Sequence, residues 1–72
     1  MRGSGLQARR ERWFRMRPLC VACDKMGRVT AAQELDHITP LWAGGSDADV
    51  NLQGLCIPCH RAKTDDEARR RF

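Results

Sequence analysis

The sequence predicts a small α+β domain in which a metal-binding staple does the work of a large core. Two observations carry that expectation. The chain has 72 residues, and below roughly 70–80 residues a hydrophobic core seldom supplies more than about 3–5 kcal/mol. Its four cysteines fall into the pairs Cys20-Val21-Ala22-Cys23 and Cys56-Ile57-Pro58-Cys59. The C-x2-C spacing lets two thiolates from one tight turn reach a common ion.

The elements follow in order. Leu6 to Met16 reads as a helix, with Leu6, Trp13 and Phe14 on one side and arginines elsewhere. Pro18 ends it, because the residue before a proline avoids helical geometry. Leu19 to Gly27 forms the first knuckle, with Gly27 as its turn residue. Arg28-Val29-Thr30 reads as a short strand and Gln33 to Ile38 as a second. Pro40 and Gly44-Gly45-Ser46 open a long loop, and Val50 to Leu55 is irregular or extended. Pro58 suits the first turn of a helix reaching Lys63, where its missing N–H is harmless. Thr64-Asp65-Asp66-Glu67 matches a capping box, so a fresh helical start is expected at Thr64. Residues 1–5 are expected to be flexible and 6–72 to form a single domain.

The large apolar residues are few and scattered: Leu6, Trp13, Phe14, Leu19, Val29, Leu35, Ile38, Leu41, Trp42, Val50, Leu52, Leu55 and Ile57. A core that thin leaves folding to the cysteines. Disulfides are the alternative use of four cysteines in a small secreted domain. The N-terminal region argues against it, because Arg9, Arg10, Arg12, Arg15 and Arg17 crowd the place of an apolar signal segment. No stretch approaches the ~20 apolar residues of a membrane helix. A reducing, cytoplasmic compartment is expected. Soft thiolates at tetrahedral spacing favour Zn²⁺, with a rubredoxin-like iron site as the minor alternative. Residues 24–55 separate the two pairs, a longer insert than the ~15–20 residues of a compact two-knuckle site.

The net charge of +4 is unevenly placed. Residues 1–28 carry +6, residues 29–60 carry −4 with no Lys or Arg, and residues 61–72 carry +2. Basic flanks around an acidic centre suit phosphate binding around a cation site. An Arg-rich helix that is merely solvated is the plainer account.

Asp36, His37 and His60 remain once the cysteines are assigned. Singly, each has an ordinary reading: an Asp-His pair capping a turn, a histidine supporting a zinc site, Asn51 as a turn residue. Together, a carboxylate and two imidazoles form an open site for a divalent ion and a general base. Cys59 and His60 are adjacent at a helix start, so their side chains diverge by about 100° and one ion cannot easily take both. Lys63 falls on the His60 side at i+3.

Leu35-Asp36-His37-Ile38-Thr39-Pro40-Leu41, Gly44-Gly45, Asn51-Leu52-Gln53 and Cys56-Ile57-Pro58-Cys59-His60-Arg61-Ala62-Lys63-Thr64 together resemble the HNH endonuclease signature. The resemblance spans residues 20–64, in the zinc-bearing four-cysteine branch, and extends to small phage-encoded HNH proteins through the Arg-rich helix. It implies a ββα-metal (HNH, His-Me finger) fold, stapled by zinc at Cys20, Cys23, Cys56 and Cys59. It implies Asp36 and His60 as ligands of a catalytic ion, His37 as the general base, and Asn51 as the brace of the loop carrying that base. Lys63 is expected to touch phosphate, and Arg9, Arg10, Arg12, Arg15 and Arg17 to contact DNA. A carboxylate as first ligand favours Mg²⁺ or Mn²⁺ as the catalytic ion. The implied reaction is DNA phosphodiester hydrolysis to 5′-phosphate and 3′-hydroxyl ends. Histidine suits the base, since an unperturbed imidazole titrates near pH ~6.5 and activity should climb between about pH 6 and 8.

Adjacent residues on a regular strand point to opposite faces, so Asp36 and His37 share one site only if the strand ends or bends there. No element that reads base sequence is evident, because arginine contacts to phosphate position without specifying. Low specificity is expected, or targeting by a packaging or other partner protein, in a monomer. The rival from another class is a non-catalytic zinc-ribbon module that binds nucleic acid. A basic helix docking an acidic protein is a third reading.

Overall fold

The structure is a computed structural model describing residues 4–71, with side chains described from Gln7 to Arg70. Helix α1 (Ser4–Met16) leads into a short helix α2 (Val21–Lys25), strand β1 (Glu34–His37), strand β2 (Leu52–Leu55) and helix α3 (Ile57–Arg71). Two 3-10 turns, Leu41–Ala43 and Asp49–Asn51, lie between the strands. The result is the small α+β architecture that the sequence predicts. Of the expected flexible stretch, residues 1–3 lie outside the described residues, while Ser4 and Gly5 belong to α1.

The first knuckle is built around α2. Cys20 is its N-cap, and the Cys20 Sγ accepts from Cys23 N at 3.4 Å. That is the usual job of a capping oxygen, which satisfies an orphan helix N–H. Gly27 closes the turn at φ 79, a left-handed conformation that costs glycine nothing. The chain then returns to meet its own start, with Cys20 N donating to Thr30 O at 2.7 Å and Ala32 N to Pro18 O at 2.8 Å.

Arg28–Thr30 is not a strand, contrary to its β-favouring composition. A single isolated bridge, Leu19 with Ala31, is all the pairing found there. Val29 is 83% exposed, so its β-branched side chain has nothing to pack against. β-propensity reflects a fit to a half-buried pleated surface, and here that surface is missing.

β1 and β2 pair antiparallel with Glu34 opposite Leu55, Leu35 opposite Gly54, Asp36 opposite Gln53 and His37 opposite Leu52. Leu52 and Gly54 are buried on one face of β2, and Leu55 is buried on the other. Gly54 is needed for close approach: a Cβ there would lie 2.9 Å from Ala32 Cβ and 3.4 Å from Phe14 Cε1. Its bare backbone lets α1 settle on the sheet.

Helix α3 runs unbroken through Thr64, and the capping box does not start a new helix. An S/T-x-x-E spacing is also an ordinary i, i+3 pair inside a helix. Lys63 pairs with Glu67 at i, i+4 across the expected break, and Arg70 pairs with Asp66 one turn beyond it. Continuity therefore keeps the helical side-chain neighbours that a break would lose.

Few of the apolar residues reach the interior. The buried ones are Trp13, Leu52 and Leu55 with Cys20, Cys23 and Cys56. Leu19, Val29, Ile38, Leu41, Trp42, Val50 and Ile57 remain exposed. Cys20, Cys23, Leu55 and Cys56 make one buried cluster, with Val21, Ala22 and Cys59 packed against it. The core of this domain is largely its cysteines. Among the described residues, no helix is long and apolar enough to cross a membrane.

Candidate active site and metal centre

The two knuckles converge. The four Sγ atoms of Cys20, Cys23, Cys56 and Cys59 all lie within 4.8 Å of one another. Cys23 Sγ is 3.8 Å from both Cys56 Sγ and Cys59 Sγ, far from the ~2.05 Å of a disulfide. All four are free thiols, and together they form a donor set for a soft metal ion.

Crowding splits their acidities. Burial by itself would raise Cys20, but hydrogen bonds from the Cys23 and Cys56 backbones, then from their thiols, outweigh it and hold Cys20 at about 6. Cys59 is pushed up to about 12, first by its side-chain hydrogen bond with Cys56 and then by burial. Thiols this close cannot all ionise without a cation among them.

One residue beyond this cluster, α3 turns His60 away from the thiols and toward the sheet. Its Nε2 lies 3.7 Å from Asp36 Oδ1. Asp36 is buried and points from β1 at α3. Its Oδ2 accepts from Gln53 Nε2 at 2.9 Å and faces Lys63 Nζ at 3.0 Å. Oδ2 is thus occupied, while Oδ1 is turned to His60 across a gap too long for a hydrogen bond. A carboxylate oxygen and an imidazole nitrogen at that separation suit a divalent ion between them.

Lys63 ties several of these groups together. It pairs with Asp36 and Glu67, and its Nζ also donates to His37 O at 2.8 Å. Burial alone would lower its pKa, but hydrogen bonds to Glu67 and Asp36 more than offset that and hold its ammonium above the usual range.

The His37 ring is not part of this group. β1 stays regular to its last residue, so Asp36 and His37 face opposite sides. His37 shows its carbonyl to Lys63 and its imidazole to Asp47, with Nε2 2.8 Å from Asp47 Oδ1. The ring lines a cleft with Arg9, Arg10, Leu35, Asp47 and Leu52.

Asn51 bonds to both ends of the connecting loop. It accepts from Thr39 N at 2.9 Å and donates to Thr39 O at 2.9 Å and Ser46 O at 2.6 Å. Gly45 sits where a Cβ would be 1.9 Å from Thr39 O, so only glycine fits this closure.

The basic residues divide. Arg9 bonds to Asp47 and Asp49. Arg10 donates to Gln33 O at 3.0 Å and lies over the Phe14 ring. Arg17 stacks on Trp13 at 4.3 Å. Arg12 and Arg15 are exposed, with no partner among the described residues.

Gln53, Asp47 and Glu67 are the site residues that sequence reasoning did not assign. Gln53 is legible only through the strand register that sets it opposite Asp36. Glu67 stands four residues after Lys63, a helical spacing that the expected break at Thr64 concealed. Asp47 lies in the loop, where no periodicity marks it.

Known proteins resemble this chain in sequence and in fold. A crystal structure of the deep-sea thermophilic bacteriophage GVE2 HNH endonuclease with manganese ion superposes with a TM-score of 0.65 and 43% identity, over 81% of this chain and 65% of that one. Curated relatives are the DNA annealing helicase and endonuclease ZRANB3 of Bos taurus, 44% identical over 39 residues, and of Homo sapiens, 41% identical over 39 residues. Each alignment covers 53% of this chain and 4% of the relative, so the chain spans only a small part of those proteins. Residues 20–66 match the HNH endonuclease family, and that stretch holds both cysteine knuckles, the Asp36–His60 pair, His37 and Asn51. With sequence and fold in agreement, the chain belongs to the HNH endonuclease family.

Proposed function

We propose that this chain is a metal-dependent DNA endonuclease that hydrolyses phosphodiester bonds with low sequence specificity. The observation that carries the reading is the Asp36–His60 pair. One carboxylate oxygen is held by Gln53 and Lys63, and the other faces an imidazole at 3.7 Å. Such an O,N donor pair suits Mg²⁺ or Mn²⁺ held by few protein ligands. The bound ion would act as a Lewis acid, stabilising negative charge on the phosphate and the leaving oxygen.

The protein's own groups do the rest. Neutral His37 takes a proton from the attacking water. Asp36 and His60, on the face of β1 opposite the His37 ring, would hold the ion, and in-line displacement needs attacking and leaving oxygens on opposite sides of phosphorus. Asn51 fixes the loop beside the base, and Lys63 holds Asp36 in place. The leaving 3′ oxygen takes a proton from solvent water and departs as a hydroxyl, and the 5′ end keeps the phosphate. Arg12 and Arg15 on α1 are free to meet the DNA backbone, and contacts of that kind carry no base specificity.

The four cysteines hold a structural zinc in this reading. A tetrahedral ion with Zn–S of about 2.3 Å places its sulfurs about 3.8 Å apart, the spacing of Cys23 from Cys56 and Cys59. The bound cation would let all four thiols ionise together and would join the ends of the 24–55 insert.

Plasmid nicking tests the reading. Mn²⁺ or Mg²⁺ should convert supercoiled plasmid to open circle, and EDTA should stop it. His37→Ala should abolish turnover with DNA binding retained. His60→Ala should raise the metal concentration required. A zinc-loaded protein that binds DNA yet never nicks it would instead be a non-catalytic nucleic-acid-binding module.

A further inference from the structure

The general base assigned above has a partner that its signature does not include. Asp47 lies in the loop between the strands, ten residues beyond His37, and its Oδ1 is 2.8 Å from His37 Nε2. Arg9 on α1 grips the same residue twice, through Nη1 to Asp47 Oδ2 at 2.9 Å and Nη2 to Asp47 O at 2.5 Å, and reaches Asp49 Oδ1 at 3.1 Å. We propose that Asp47, held by Arg9, is the positioning residue of His37: it fixes the ring as the Nε2–H tautomer and leaves Nδ1 as the nitrogen that accepts the proton.

The chemistry of the contact sets its direction. A carboxylate can only accept, so the neutral imidazole facing it must donate from Nε2, which leaves the lone pair on Nδ1. The ionised state of Asp47 is supported by its partners. The His37 hydrogen bond, then the Arg9 hydrogen bond and charge, hold its carboxyl below the usual range. A carboxylate behind a histidine commonly sets both tautomer and ring orientation in this way.

The loop is tied so that this contact is reproducible. Asn51 bonds to Thr39, two residues after the base, and to Ser46, the residue before Asp47. One amide thereby clamps the two chain segments that carry the pair. Arg9 adds a third anchor from α1. Arg9, which sequence reasoning gave to DNA contacts, thus also sets the base.

This inference rests on the nuclease reading, and the test separates the two. The zinc-loaded chain carries two histidines, His37 and His60, so ¹⁵N-histidine labelling resolves both rings, with His60→Ala for assignment. The wild type should show the Nε2–H pattern at His37, and Asp47→Ala should convert it to mixed tautomers. In Mn²⁺, Asp47→Ala should lower kcat for plasmid nicking by about ten- to a hundredfold with KM little changed. Asp47→Asn, which keeps a neutral acceptor, should fall between. Unchanged ring signals or unchanged kcat in Asp47→Ala would overturn the proposal. A wild type that does not nick would instead overturn the nuclease reading, and the ring spectra would still decide the Asp47 contact.

Discussion

Lys63 on α3 stands 3.0 Å from Asp36 on β1, joining the C-terminal helix to the hairpin by a charge pair at a buried carboxylate. The same ammonium bonds to His37 O and pairs with Glu67. Lys63→Met would strand the Asp36 charge with only Gln53 as a close partner. A buried acceptor that loses its partner costs about 1–3 kcal/mol. Urea unfolding of the zinc-loaded variant should show that loss, and added Mn²⁺ should restore part of it by supplying the missing positive charge. An identical deficit with and without Mn²⁺ would count against a divalent ion at Asp36.

Gln53 is the neutral half of the same clamp. Gln53→Leu keeps the size of the side chain but removes the donor to Oδ2, freeing the carboxylate to rotate. The metal concentration for half-maximal nicking should rise about ten- to a hundredfold, as when an outer partner of a metal ligand is lost. A metal titration that overlays the wild type would show that Lys63 alone orients Asp36.

Removing the structural ion should be global in effect. With only Trp13, Leu52 and Leu55 buried beside the cysteines among the described apolar side chains, little remains to hold the chain once the thiols part. Cys56→Ser, or a strong zinc chelator, should abolish the far-UV helical signal and activity together. Retention of the helical signal after complete removal of zinc would assign the folding free energy elsewhere.

Asn51→Ala removes three hydrogen bonds from the loop. A stability loss of about 1–3 kcal/mol is expected, along with loss of nicking, because Thr39 and Ser46 are no longer held together. Gly45→Ala should damage the same closure by sterics, since its Cβ would overlap Thr39 O. Thermal melts and nicking rates of the two variants should fall together.

Asp47 sets a pH dependence of definite sign. Its folded pKa is depressed, first by the His37 hydrogen bond and then by Arg9. A depressed carboxyl contributes stability above its unfolded value of about 3.9, and that contribution is lost as pH falls through the lower folded value. The difference in unfolding midpoint between wild type and Asp47→Asn should therefore not diminish from pH 8 to pH 5. A difference that fades within that window would show that Asp47 is not held ionised.

The chain of 72 residues wrote its donors plainly. Two C-x2-C pairs announce a metal staple because thiolate spacing is a local property, readable without any fold. The motif around Asp36, His37, Asn51 and His60 was legible for the same reason, as was the divergence of Cys59 from His60, which helical geometry alone dictates. Local composition failed where packing or continuity decides. Arg28–Thr30 has strand-forming residues but no surface to lie on, and Thr64–Glu67 spells a cap inside an unbroken helix.

Tertiary structure alone decided the pairings across the molecule. It set Gln53 against Asp36 by strand register, turned the His37 ring toward Asp47, and assigned Arg9 to an internal clamp while leaving Arg12 and Arg15 exposed. Each of these contacts joins residues ten or more apart, and long-range proximity is set by how the chain closes. That closure comes from Gly45, Asn51 and the four cysteines, whose separate signals do not state which side chains they will bring face to face.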